Sequence, residues 1–90
     1  MLEAEIINQL KRVTGSFEVY HKTSFECYRK AKDGSDQEVL VEILDAGPDV
    51  DPQRRYQCVA TTKDGKMATG NPAPSIDVVL SLVHWHDLDN

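Results

Sequence analysis

The sequence predicts an α+β domain: an antiparallel sheet of three to five strands with an N-terminal and a C-terminal helix packed on one face. Three observations lead there. Residues 2–13 and 73–85 place apolar side chains at helical spacing. The chain between them is interrupted by turn-forming clusters at 33–36, 47–52 and 63–66. The stretches between those clusters are rich in Val, Ile, Tyr, Phe and Thr, which suit a pleated surface.

In residues 2–13, LEAEIINQLKRV, the residues Leu2, Ile6, Leu10 and Val13 share one helical face. Glu3 and Glu5 in the first turn and Lys11 and Arg12 in the last complement the helix dipole. Gly15 is placed to stop the helix. Phe17, Val19, Phe25 and Cys27 then fit a period of two, giving strands over 17–21 and 24–32, with a helix through part of 15–36 as the competing reading. Asp33-Gly34-Ser35-Asp36 is a turn. In the strand over 37–45, Val39, Val41 and Ile43 alternate with Leu40, Glu42 and Leu44, so both faces carry aliphatics and the strand is interior. Gly47 to Pro52 is a loop. Strands over 54–62 and 66–69 flank the Asp64-Gly65 hairpin turn. Pro72 and Pro74 open the last helix, 73–85, whose face is Ile76, Val79, Leu80 and Val83, widened by Val78, Leu82 and Trp85.

Ninety residues bound the chain to one domain with one modest core. No apolar run approaches the roughly 20 residues that cross a bilayer, and the first residues lack a leader pattern, so the cytoplasm is the expected compartment. The two cysteines, Cys27 and Cys58, are not at C-x-x-C spacing and are expected to be free, buried strand residues. Net charge is −5 and unevenly spread: residues 1–32 hold six bases against four acids, residues 33–90 four against eleven. That balance is a poor footprint for nucleic acid, whose phosphates select a basic face.

Gly47-Pro48 in the loop, Asp64-Gly65-Lys66 in the hairpin, Gly70 before the last helix and the face Ile76, Val79, Leu80 and Val83 carry a resemblance. The span from about Val39 to Val83 resembles the C-terminal part of a double-stranded-RNA-binding domain, and the resemblance implies a helix, an antiparallel sheet and a closing helix. It also implies lysines that clamp phosphate at the start of the last helix. Ala73 and Pro74 stand at those positions. Where the family presents a His to the minor groove, this chain reads Asp49-Val50-Asp51. Residues 15–36 are an insertion relative to the family's pattern.

No catalytic motif is present: there is no G-x-S-x-G, H-E-x-x-H, P-loop or G-x-G-x-x-G. His84-Trp85-His86-Asp87 is the one His/Asp cluster, and two imidazoles make too few ligands for a stable metal site. No enzyme activity, metal or cofactor is therefore expected. The expected role is a small protein-interaction or regulatory module, monomeric or weakly homodimeric. Its contacts are expected at the Asp49-Val50-Asp51 loop, at Leu40 and Leu44 on the sheet, or through strand addition at an open edge. The alternative is double-stranded RNA binding through a patch of Lys11, Arg12, Arg29, Lys30, Lys32, Arg54 and Arg55.

Overall fold

In a computed structural model that describes residues 3–89, helix α1 (Glu3–Thr14) leads into strand β1 (His21–Lys30). Strands β2 (Asp36–Asp45), β3 (Tyr56–Thr62) and β4 (Met67–Thr69) follow, then helix α2 (Ile76–Leu82). Short 3-10 turns span Pro52–Arg54 and Trp85–Asp89. The four strands form an antiparallel meander in the order β1-β2-β3-β4. This is the α+β layout that the periodicities predict. No described helix is long and apolar enough to cross a membrane.

Register explains the core. Val41 lies opposite Ala60 and Ile43 opposite Cys58, so the odd residues of β2 and the even residues of β3 share one face. Ala68 of β4 continues it opposite Ala60. Val79 of α2, Val83, Leu88 and Ala73 close over that face and complete the buried cluster. The small side chains at 58, 60 and 68 let α2 and the last turn approach the strands closely. Trp85 lies half-buried against the cluster and donates its indole N–H to the Leu80 carbonyl (3.0 Å), so its polar edge is satisfied.

Several boundaries differ from the sequence expectation. The strands expected over 17–21 and 24–32 are one strand, His21–Lys30, and residues 17–20 carry no regular structure. The helix expected over 73–85 is only Ile76–Leu82. Pro72 and Pro74 precede it, because Ala73 exchanges two backbone hydrogen bonds with Tyr56 (3.0 Å each) and is drawn into the sheet. Ser75 caps the helix by accepting the Val78 N–H (3.3 Å). Residues 54 and 55 lie outside β3, since Arg54 ends a 3-10 turn whose cap is Asp51. On α1 the buried residue is Ile7, not the stripe of Ile6, Leu10 and Val13, and Leu2 lies outside the described residues.

α1 attaches at the Asp45 end of the sheet. Ile7 packs where a Cβ on Gly47 would meet its Cδ1 at 3.1 Å, and Gly47 has φ +90°. Glu3 Oε1 lies 2.9 Å from His21 Nδ1, and Asn8 donates to Asp49 (3.1 Å). Beneath the helix, Arg55 holds Asp45 with two hydrogen bonds (2.9 and 3.2 Å), and the Gly47 N–H adds a third (2.8 Å). Burial pushes the Asp45 carboxyl up, but those donors and a hydrogen bond with Glu3 together hold it below the usual carboxylate range. A depressed folded-state pKa contributes stability above the unfolded value and loses it as pH falls through the folded one. Asp45→Asn is therefore expected to cost about 1–3 kcal/mol at neutral pH. Urea unfolding at a series of pH values should show that gap closing only below the ordinary carboxylate range.

Candidate interaction surface

The backbone hydrogen-bond phase of β1 defines its free edge. The Ala46 N–H donates to the Arg55 carbonyl (2.9 Å), so even residues of β2 point their amides at β3 and odd ones at β1. With Phe25 opposite Val41 and Cys27 opposite Val39, it is the odd residues of β1 that bond β2. The Ala31 N–H to Ser35 carbonyl bond (2.7 Å) continues the same phase into the hairpin. Lys22, Ser24, Glu26, Tyr28 and Lys30 thus turn their N–H and C=O groups outward, and β1 is the end of the sheet.

Among the described residues this edge strand is uncovered on both faces except near its ends, where His21 meets Glu3 of α1 and Arg29 meets Asp89 of the last turn. Nine of its ten residues are exposed, and only Arg29 is half-buried. Phe25 (52% exposed) and Cys27 lie on the same face as Val41 and Val39, yet α2 and the last turn cover only the sheet beyond them. The expectation that Cys27 is buried is therefore corrected: an edge position without a covering helix leaves the thiol in solvent. Cys58, between β2 and β4, is buried as expected, and burial pushes its thiol pKa up.

Beside β1 stands the uncovered stripe of α1. Ile6, Leu10 and Val13 are exposed, and Phe17 beyond the helix is 89% exposed. Ile6 and Leu10 line a shallow trough with Ile7, Val19, Tyr20, His21 and Lys22, where α1 meets the start of β1. The open edge therefore has the α1 trough at its His21 end and exposed Phe25 four residues further along the strand.

The residues singled out from sequence take up different positions. Leu40 and Leu44 lie on the opposite face of β2, where among the described residues no helix packs; Leu40 is exposed and Leu44 half-buried. Asp49 serves α1 through Asn8, and Asp51 accepts the Gln53 N–H (3.0 Å), so both acids have local structural partners. Val50 lines a second trough with Lys11, Phe17, Val19, Tyr20 and Arg54.

The seven basic residues fall into two groups. Arg29, Lys30 and Lys32 gather with His86 and Asp89 at one end of β1. Lys11 and Arg12 in the last turn of α1, with Arg54 and Arg55, stand at the other end, eight strand residues or roughly 26 Å away at the usual rise per residue. Arg29 pairs with Asp89, Lys30 with Asp36 and Arg55 with Asp45, while Arg12 bonds Gln9. The His84 and His86 rings stack at 5.8 Å, and His86 lies 3.3 Å from Asp87. Among the described residues no three His, Cys, Asp or Glu side chains gather as metal ligands would. A depression of about 570 Å³ between the hairpin turns is lined by Asp36, Glu38, Lys63, Asp64 and Lys66, charges that are already paired.

Sequence reasoning expected an open edge but did not single out β1 as that edge. Its signal was present in HKTSFECYRK: neither set of alternate residues is uniformly apolar, the mark of a strand with no buried face. No protein-family model matches the chain, and neither a curated protein nor a solved structure matches it.

Proposed function

We propose that the protein is a non-enzymatic protein-interaction module that engages its partner by strand addition along β1. One observation carries the reading: a ten-residue edge strand with alternate backbone groups unpaired, flanked by exposed Phe25 and the α1 stripe. Long open edges invite pairing with another chain; the outward positions of this one include Lys22, Glu26 and Lys30, so charge restricts which strand can pair with it. Main-chain hydrogen bonds supply affinity in strand addition, and flanking side chains supply selectivity.

The variant that tests it follows from the hydrogen-bond phase. Ser24 points its N–H outward, so Ser24→Pro removes an edge donor and no β1–β2 bond. Capture from native lysate by tagged wild type, compared with Ser24→Pro, with and without nuclease, separates the readings. A protein retained after nuclease and lost with Ser24→Pro supports strand addition. Retention indifferent to Ser24→Pro contradicts it. Material lost on nuclease treatment favours the double-stranded-RNA reading suggested by the fold resemblance, and a low-salt RNA shift that weakens steeply with salt would then follow.

A further inference from the structure

We infer that the occupant of the β1 edge is a second copy of this chain, paired antiparallel about a two-fold axis at Ser24. The inference rests on the strand-addition reading and adds the partner and the register.

Charge and strand overlap together select both. A two-fold antiparallel pairing sets residue i against a fixed partner, and outward-pointing even residues meet even residues in every register that keeps the faces aligned. Centring on Glu26 sets Glu26 against itself and Lys22 against Lys30. Centring on Lys22 sets that lysine against itself. Centring on Phe25 pairs Lys22 with Tyr28 and Ser24 with Glu26, with no charge matched. Centring on Tyr28 sets Glu26 against Lys30 on either side of the axis, but it faces only residues 26–30 of each strand, where centring on Ser24 faces residues 21–27. Centring on Ser24 places Lys22 of each copy opposite Glu26 of the other, two opposite-charge pairs across one seam. Continued outward, the same register brings Lys30 opposite Glu18 and Tyr28 opposite Tyr20.

The isolated chain leaves the components of this seam incomplete. Glu26 has no cationic partner among the described residues; its near neighbour is the Tyr28 hydroxyl at 3.4 Å. Lys22 bonds Glu42 at 2.7 Å with its side chain half exposed, which leaves donors free for a second carboxylate. On the covered face of the sheet, the register sets Phe25 against Thr23 and Cys27 against His21 of the second copy. His21 is the residue that α1 covers through Glu3, with Ile6 and Leu10 exposed beside it. The second copy's Cys27 and Arg29 therefore arrive at the mouth of the α1 trough, and the exposed stripe gains a surface to lie on. A strand seam alone is narrow beside the roughly 1,200–2,000 Å² of a stable interface. The α1 stripe and Phe25 supply the remaining apolar area.

The test is the mass of the full chain in solution. Sedimentation equilibrium should give twice the 10.1 kDa chain mass for wild type and the single mass for Ser24→Pro. Glu26→Lys and Lys22→Glu should each weaken association about tenfold or more, because each faces like charge with its own kind. Mixed together, the two variants should form a one-to-one dimer, since the mixed pair restores both opposite-charge contacts. A variant that had simply misfolded could not be rescued by mixing. In a Cys27→Ser background, Ser24→Cys should cross-link rapidly to itself, and Glu26→Cys slowly. A wild type that stays monomeric at millimolar concentration overturns the inference. So does a dimer that survives Ser24→Pro, or a mixture that fails to associate. If the chain is monomeric yet captures another protein in a Ser24-dependent way, the second copy is refuted and strand addition stands. If it is monomeric and captures nothing that Ser24→Pro abolishes, both fail.

Discussion

Gly70→Ala is expected to remove most of the stability of the protein. Gly70 lies between β4 and α2, and a Cβ there would sit 2.2 Å from the Leu82 carbonyl oxygen, 2.6 Å from its carbon and 3.0 Å from the Val83 nitrogen. These are backbone atoms at the end of α2, so no side-chain rotation relieves the overlap. The neighbouring Thr69 carbonyl accepts the His84 N–H at 3.0 Å, which fixes the same two segments together. Moving α2 outward to admit a methyl group would also lift Val79 and Val83 from the core. The expected cost is about 3–5 kcal/mol, against a total of a few kcal/mol for a chain this size, roughly 0.05–0.15 per residue. Urea unfolding monitored by Trp85 fluorescence measures it. Asn71→Ala, one residue on and exposed, should change little. A near-neutral Gly70→Ala would mean that β4 and α2 do not meet as described.

The second large effect is a contrast between adjacent residues. Phe25→Pro should cost about 2–4 kcal/mol, because it removes an N–H that bonds Val41 and leaves that carbonyl without its donor inside the sheet. Ser24→Pro should cost under about 1 kcal/mol, because its N–H faces solvent on the open edge. Side-chain burial does not explain the difference, since both residues are exposed. Thermal or urea unfolding of the two variants reads it directly. Equal destabilisation would contradict the hydrogen-bond phase of β1, and with it the set of edge groups on which strand addition depends.

The fold class was legible because the interior strands must alternate. β2 and β3 bury Val39, Val41 and Ile43 against Cys58 and Ala60, and that burial imposes a period of two on the sequence. The turns at Asp33-Gly34 and Asp64-Gly65 were legible from residue type, since a side chain or a missing Cβ decides them locally. A strand over 24–32 was legible from residue type, but the full extent of β1 and its edge position were not, because a strand exposed on both faces has no burial to imprint. Residues 17–20 added aromatic and β-branched side chains that imitate a strand, yet Phe17 stays 89% exposed at the rim of a shallow trough. The prolines misled for a different reason. Composition shows that Pro72 and Pro74 suit a helix start, but the backbone pairing of Ala73 with Tyr56 is a long-range bond that no local pattern records. The α1 stripe was read correctly as amphipathic and wrongly as core-facing. Periodicity reports that a face needs cover, not which chain supplies it. Asp49, Val50 and Asp51 were chosen as exposed loop residues; both acids are exposed in the structure, and each also makes one local bond, to Asn8 and to the Gln53 N–H.

Strand addition along β1 requires its outward backbone groups to be the contact surface. Residue-resolved amide hydrogen exchange, in dilute and in concentrated protein, tests it most directly. In dilute solution Thr23, Phe25 and Cys27 should be protected by β2, while Lys22, Ser24, Glu26 and Tyr28 exchange freely. On concentration the even-numbered amides should become protected together, and Ser24→Pro should prevent it. Even-numbered amides that stay unprotected while the protein associates would place the contact elsewhere and contradict the account.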